Sequence, residues 1–328
     1  MRLVNQVCQC QIIHKGSGHE QLTIKIIEGK DLLGKLVDDS FFAGCSSVVA
    51  RIIKGGDVLE PQLKVLKDII SGQMDADRAD YLLRDSHHCG VEYGIFDYRR
   101  MVECLTILEG PGESLEIALD RDGLHTFEAL ILARYQMNSQ VYFHRIRRIY
   151  DYYLQEYFKE TGHELFGSPE KILAQNDVTT MAKMMSDASD GPTASSKWAQ
   201  RIASRSHHRE IHATGANTNA TDLRASKEVL EKLRGKFSAV DFIWDKSEAK
   251  IHSLLLPDDM EEGSWVQLQV IDKRGTTKLM GDQSHILRHV PRSFQVARIF
   301  ADVEESDDTR RQELRDYAAT EYAKLGGR

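Results

Sequence analysis

Apolar residues return every three or four positions through most of the first two-thirds of the chain, which predicts a mainly helical body there. Leu22, Ile26, Ile27 and Leu33 set this period over 20–36, with Gly29 and Gly34 interrupting it. Asp38-Asp39-Ser40 reads as the cap of a second helix over 41–53 that stops at Gly55-Gly56. Pro61 opens a third, carrying Leu63, Val65, Leu66, Ile69 and Ile70 to Gly72, and 75–88 makes a fourth. Two β-capable runs, 104–108 and 114–119, then flank Gly110-Pro111-Gly112 and predict a hairpin. From 124 to 158 neither Gly nor Pro occurs, so one long helix is expected.

Past Gly167 the chain becomes more polar, with loop signals over 190–196 and 214–222 and a helical pattern over 223–236. Alternation over 265–271 and 295–300 predicts half-buried strands, followed by an acidic helical tail. The expected organisation is a helical core over 1–165 with a hairpin at 104–120, a helical extension over 166–236, and a small α/β region with its tail over 237–328. No internal repeat is found.

Composition narrows the class. With 23 Gly and only 6 Pro in 328 residues, 41% hydrophobic and 28% charged, collagen-like, low-complexity and disulfide-stapled classes are excluded. No apolar run approaches the roughly 18 residues that span a bilayer, and the first residues lead into no secretory segment, so a soluble, cytoplasmic protein without a membrane partner is expected. The formal charge of −7 argues against a global grip on nucleic acid and leaves only a local basic patch for that role. Cys8, Cys10, Cys45, Cys89 and Cys104 form no C-x-x-C pair and read as reduced thiols.

Chemistry concentrates in 74–90. With Asp77 at zero on a helix advancing about 100° per residue, Tyr81 falls at roughly 40°, Arg84 at about −20° and His88 at about 20°. A carboxylate, a phenol, a guanidinium and an imidazole then share one face; a surface salt-bridge face is the competing reading. The string Asp75-x-Asp77-Arg78-x-Asp80-Tyr81-x-x-Arg84-Asp85, with His87-His88-x-Gly90-Val91 and Phe96-Asp97-Tyr98-Arg99-Arg100 after it, resembles the last metal-ligand motif of the HD-domain phosphohydrolases. It is similar in particular to the dNTP triphosphohydrolases and SAM-and-HD-domain nucleotidases, over 19–153 and more weakly through Arg201-Ile202-Ala203-Ser204-Arg205 and the C-terminal strands.

The resemblance implies a mainly α, HD-domain-like core and hydrolysis of a dNTP-like substrate to deoxynucleoside and triphosphate. It also implies a divalent metal (Mn, Fe, Mg, Ni or Zn) and a homo-oligomer. Asp77 takes the place of the final metal ligand. Gly18-His19-Glu20 takes that of the His-Glu element, with His19 as proton donor and Glu20 orienting it. Arg78, Tyr81 and Asp85 match positions facing triphosphate and sugar, and Arg134, Asn138 and Arg145 border the same pocket.

The family also has an earlier metal-binding His and a His-Asp pair. Here the only histidine before His19 is His14, followed by Lys15, and no His-Asp dipeptide occurs anywhere. Three readings follow: the missing ligands come from another polypeptide, the sequence is truncated, or the scaffold is inactive and binds nucleotide or a protein partner. Elsewhere, Arg145, Arg147 and Arg148 interleave with Tyr142 and Tyr150, a pattern that fits either single-stranded nucleic acid or, more simply, arginine stems lying over core aromatics. His208 and His212, at a spacing that chelates zinc on a helix, lack a Cys partner and read better as part of a basic surface or an anion contact.

Overall fold

The computed structural model describes residues 19–29, 31–56, 59–166, 168–191, 193–254, 267–304 and 306–326. Cys8, Cys10, His14 and the first residues of the expected 265–271 strand lie outside them. The described chain is mainly helical with small sheets, as the sequence predicts.

The first expected helix is two. Helix α1 is His19–Glu28 and α2 is Gly34–Ser40. Between them the backbone closes on itself: the Gly34 N–H reaches the Gly29 carbonyl at 3.0 Å, and a Cβ on Gly34 would meet the Ile27 carbonyl at 2.8 Å. Asp38-Asp39-Ser40 therefore ends α2, and α3 is Cys45–Lys54, entered through Gly44 at φ 85°. Asp38 still caps α3 from a distance, since its Oδ1 accepts the Ser46 N–H at 2.7 Å. Helix α4, Pro61–Ser71, starts on its proline, and α5, Ala76–Cys89, runs from the Asp75 cap to Gly90 in the left-handed region at φ 67°.

After the short α6, Tyr98–Glu103, strands β1 (Leu105–Glu109) and β2 (Leu115–Asp120) form the expected hairpin in the register Leu105↔Leu119 and Ile107↔Ile117. The single helix expected over 124–158 is interrupted. Helix α7, Leu124–Met137, runs into a π-helical turn over Asn138–Tyr142, and α8, Arg145–Phe166, starts beyond it. The cause is local: Asn138 Nδ2 donates to the Arg134 carbonyl at 2.8 Å, and the Phe143 N–H bonds the Asn138 carbonyl at 2.9 Å in the wider π register.

Helices α9 (Pro169–Leu173), α10 (Asp177–Ser189) and α11 (Ala194–Ala203) follow, the last two entered through capping boxes at Asn176 and Thr193. Strand β3 is Arg209–Ala213, so the helical spacing of His208 and His212 misleads. His208 is instead buried against Tyr153, and the His212 ring lies tilted against Tyr322 with centroids 4.5 Å apart. Then come α12 (Ala220–Lys236), β4 (Phe242–Lys250), β5 (Gln269–Ile271), β6 (Thr277–Leu279), α13 (Met280–Gln283), α14 (His285–His289), β7 (Ser293–Ala301) and α15 (Asp308–Lys324).

Among the described residues the strands form two sheets. One has the order β1-β2-β5-β6, in which β5 pairs parallel to β2; the other is β3-β7-β4, antiparallel. The main core follows from the first. Leu82, Phe127 and Met137 pack with Val270, Met280, Leu287 and Phe294, so α5 and α7 share one interior with the C-terminal strands. A second core, around Val229, Leu233, Leu314 and Ala318, clamps α12 and α15 onto the other sheet. Among the described residues no helix is long and apolar enough to cross a membrane.

Candidate functional site

The N-terminus of α5 is where the motif residues gather. Asp75 is buried (5% exposed) and its Oδ1 accepts the Arg78 N–H at 2.6 Å, the bond an N-cap supplies. Burial pushes the Asp75 carboxyl above the usual carboxylate value, opposed by the Arg78 charge, whose Nε stands 3.5 Å from Oδ2. Arg78 also donates through Nη1 to the Gly72 carbonyl, which fixes its guanidinium over the start of the helix.

One turn on, Tyr81 is half-buried with its ring edge-on to Tyr142, centroids 6.2 Å apart. Burial raises its phenol pKa, so Tyr81 is a neutral hydroxyl donor at physiological pH. Arg134 arrives from α7. Burial draws its pKa down, and Tyr81, Arg78 and Asp75 are the groups that act on it electrostatically. Its Nε is buried and, among the described residues, has no hydrogen-bond partner. Arg78, Tyr81 and Arg134 thus act on one another electrostatically, two guanidiniums and a neutral phenol, with Asp75 and Asp77 as the carboxylates that act on Tyr81. Such a set holds a phosphoryl or carboxylate oxygen well, because charge-assisted bonds from guanidinium are short and directional.

Asp85 is half-buried and accepts the Tyr142 hydroxyl at 2.7 Å, so it anchors α5 to the π turn. Asn138 is buried and its amide is turned to the Arg134 backbone. Asp77 is exposed in the first turn of α5, where a carboxylate is favoured by the helix dipole. Arg84 pairs with Asp80 at the surface and His88 contacts His87, so the four-group face predicted by the helical wheel divides: Tyr81 turns inward, Arg84 and His88 outward. Arg145, the first residue of α8, is exposed and lines a different cavity, one that no residue of α5 or α7 lines.

His19 opens α1, and its side chain lies outside the described residues; Glu20 is exposed. Helix α1 packs on α3, and its Leu22 joins Tyr157 and Phe158 in a core separate from that of Leu82. Arg147 and Arg148 are engaged within the protein: Arg147 lies over the Tyr142 ring and 3.1 Å from Asp151, and Arg148 grips Asp245 through Nε at 3.0 Å and Nη2 at 2.5 Å.

Two contributors escape the sequence reading, Asp75 as a buried cap and Tyr142 as the tether of Asp85. The spacing Asp75-x-x-Arg78 carries the signal for the first; nothing local signals the second. Among the described residues no group of three or more His, Cys, Asp or Glu could hold a metal ion. These residues alone do not fit the divalent metal that the resemblance implies.

The family described as HD associated region matches residues 96–291. An uncharacterized protein of Methanocaldococcus jannaschii is 47% identical over 83 residues, 25% of this chain and 18% of its own length. Uncharacterized protein YwfO of Bacillus subtilis is 36% identical over 133 residues, 40% of this chain and 28% of its own. The chain thus spans less than a third of the length of these relatives. A hypothetical protein from Aquifex aeolicus superposes with a TM-score of 0.66 at 20% identity, over 96% of this chain and 83% of that one. A phosphohydrolase from Bacteroides thetaiotaomicron does so with a TM-score of 0.62 at 18% identity, over 90% and 74%. At such identities the likeness to solved structures speaks for the fold.

Proposed function

Because the chain belongs to the family of HD associated regions, we propose that it works as part of an HD-type phosphohydrolase acting on nucleotides, most like a dNTP triphosphohydrolase. One observation carries the reading: the buried Nε of Arg134, unpartnered among the described residues, beside Arg78 and Tyr81. An anionic phosphate tail would supply the acceptor that this nitrogen lacks, with Arg78 as second cation and the Tyr81 hydroxyl as neutral donor. Asp85, held by Tyr142, would position the sugar side of the pocket. In this proposal His19 is the proton donor oriented by Glu20, and Asp77 contributes one carboxylate to a divalent ion whose remaining ligands are not among the described residues.

A second reading is a scaffold that binds nucleotide without turning it over. It is favoured by Asp77 standing exposed, with no partner ligands grouped around it among the described residues. The test is calorimetric titration of the purified chain with each dNTP, alongside a hydrolysis assay with added Mn²⁺ or Fe²⁺. Saturable binding that weakens at least about tenfold in Arg134→Met is expected, a factor worth about 1.4 kcal/mol. Turnover lost in Asp77→Ala supports the enzyme; binding without turnover supports the scaffold. Absence of dNTP binding to the unaltered chain sinks both.

A further inference from the structure

The sheet β3-β7-β4 has two unlike edges. Strand β3 lies against α15, whereas β4, nine residues long, pairs only with β7 among the described residues. A strand at such an edge presents a row of backbone donors and acceptors that another strand can take up.

The register identifies the residues that form this row. At the two ends of the β4–β7 ladder, the Asp302 N–H donates to the Asp241 carbonyl at 2.9 Å and the Ile251 N–H to the Arg292 carbonyl at 2.7 Å. Successive residues of an antiparallel strand bond alternately to one side and the other. Ile243, Asp245, Ser247 and Ala249 therefore bond β7, and Phe242, Trp244, Lys246, Glu248 and Lys250 turn their backbone groups outward. Arg234 Nη2 reaches the Phe242 carbonyl at 3.3 Å; no backbone group among the described residues bonds the rest of the row. Beside it, a cavity of about 660 Å³ separates Trp244 to Glu248 from Tyr152, Gln155 and Lys159 of α8, so the helix does not close over the edge.

We propose that β4 pairs antiparallel with β4 of a second copy of this chain, about a two-fold axis at Ser247, making one continuous sheet from two. Charge selects both the occupant and the register. Lys246 and Glu248 are exposed, their charged groups 2.7 Å apart. With the axis at Ser247, Lys246 stands opposite Glu248 of the second copy and Glu248 opposite its Lys246, and both are pairs in which the backbones exchange hydrogen bonds. A slide of two residues in one direction sets Lys246 against its own twin, and in the other Glu248 against its own; like charges directly opposite are unfavourable. An edge guarded by lysines alone would repel a copy in every register. The alternation in β4 repels in the neighbouring registers and attracts in this one. A single strand edge buries less than the roughly 1,200 Å² at which stable interfaces begin, so the dimer is weak and forms with rising concentration.

The test is sedimentation velocity of the full chain over a concentration series at low ionic strength, with circular dichroism to confirm the fold of each variant. Lys246→Glu and Glu248→Lys should each weaken self-association at least about tenfold, because each places two like pairs across the axis. The double exchange Lys246→Glu with Glu248→Lys restores both opposite pairs and should return association to within about threefold of the unaltered chain. Hydrogen exchange gives a second readout that needs no variant: amides of Trp244, Lys246, Glu248 and Lys250 should slow as the protein is concentrated. A chain that stays monomeric throughout overturns the proposal. So does association that ignores the single reversals, or that leaves the exchange of these amides unchanged. Failure of the double exchange to restore association also overturns it, since a partner of any other sequence would not be rescued by swapping the two charges.

Discussion

At the scale of single residues, Arg134 is the most informative side chain in the protein. Its Nε has been taken from water without gaining a partner among the described residues, and a buried donor in that state costs about 1–3 kcal/mol. Arg134→Met fills similar volume without the orphaned donor, so the free protein should gain about 1 kcal/mol in urea denaturation while dNTP affinity falls. Loss of stability in that variant would count against a binding role. The residues of this cluster were legible in the sequence to different degrees. Arg78 and Tyr81 stand in one recognisable motif, and Asp75 is readable as a cap three residues before Arg78. That Arg134 meets them, and that Tyr142 holds Asp85, depends on how α7 crosses α5, which no local pattern encodes.

At the scale of elements, α8 is tied to β3 by a buried hydrogen-bond relay. The His208 N–H donates to the Tyr153 hydroxyl at 2.8 Å, that hydroxyl bonds His208 Nδ1 at 2.6 Å, and Nε2 lies 3.4 Å from Asp241. Burial holds the His208 pKa below its ordinary 6.5 and pushes the Tyr153 phenol up to about 12, so both stay neutral. Protonation of His208 then favours the unfolded chain. Its contribution is present above pH 6.5 and is lost as the pH falls from there through the lower folded-state value. Urea denaturation from about pH 7.5 to about 5 should therefore show a steeper decline for the unaltered protein than for His208→Asn. Equal slopes would mean that the relay does not titrate. The strand itself was not legible, because two histidines four apart fit a helix as well as an extended segment that bulges, as β3 does against β7. The break between α7 and α8 was equally hidden, since a π turn needs neither Gly nor Pro.

At the scale of the whole molecule, the N-terminal and C-terminal parts are joined by shared structure rather than by surface contact. Strand β5 completes the sheet that β1 and β2 begin, and Val270 and Phe294 enter the core of α5 and α7. A second tie is the Arg148–Asp245 pair between α8 and β4, both side chains largely buried. Arg148→Ala leaves the Asp245 carboxylate without its cation and should cost about 3–5 kcal/mol in a single unfolding transition followed by circular dichroism. A loss below about 1 kcal/mol would show that water and the Ser247 hydroxyl, which donates to Asp245 Oδ2 at 3.0 Å, suffice for Asp245. Helical period, hairpin and tail were all readable from the sequence; this joining was not, because parallel pairing of β2 with β5 links strands far apart in the chain. The π turn at Asn138–Tyr142 bears on both ties. Removing one residue there would rotate everything downstream by about 100° around the helix axis, carrying Arg148 away from Asp245 and Tyr153 away from His208. The turn works as the phase setting of a screw thread: many residue exchanges within it leave the halves in step, and a change of length does not.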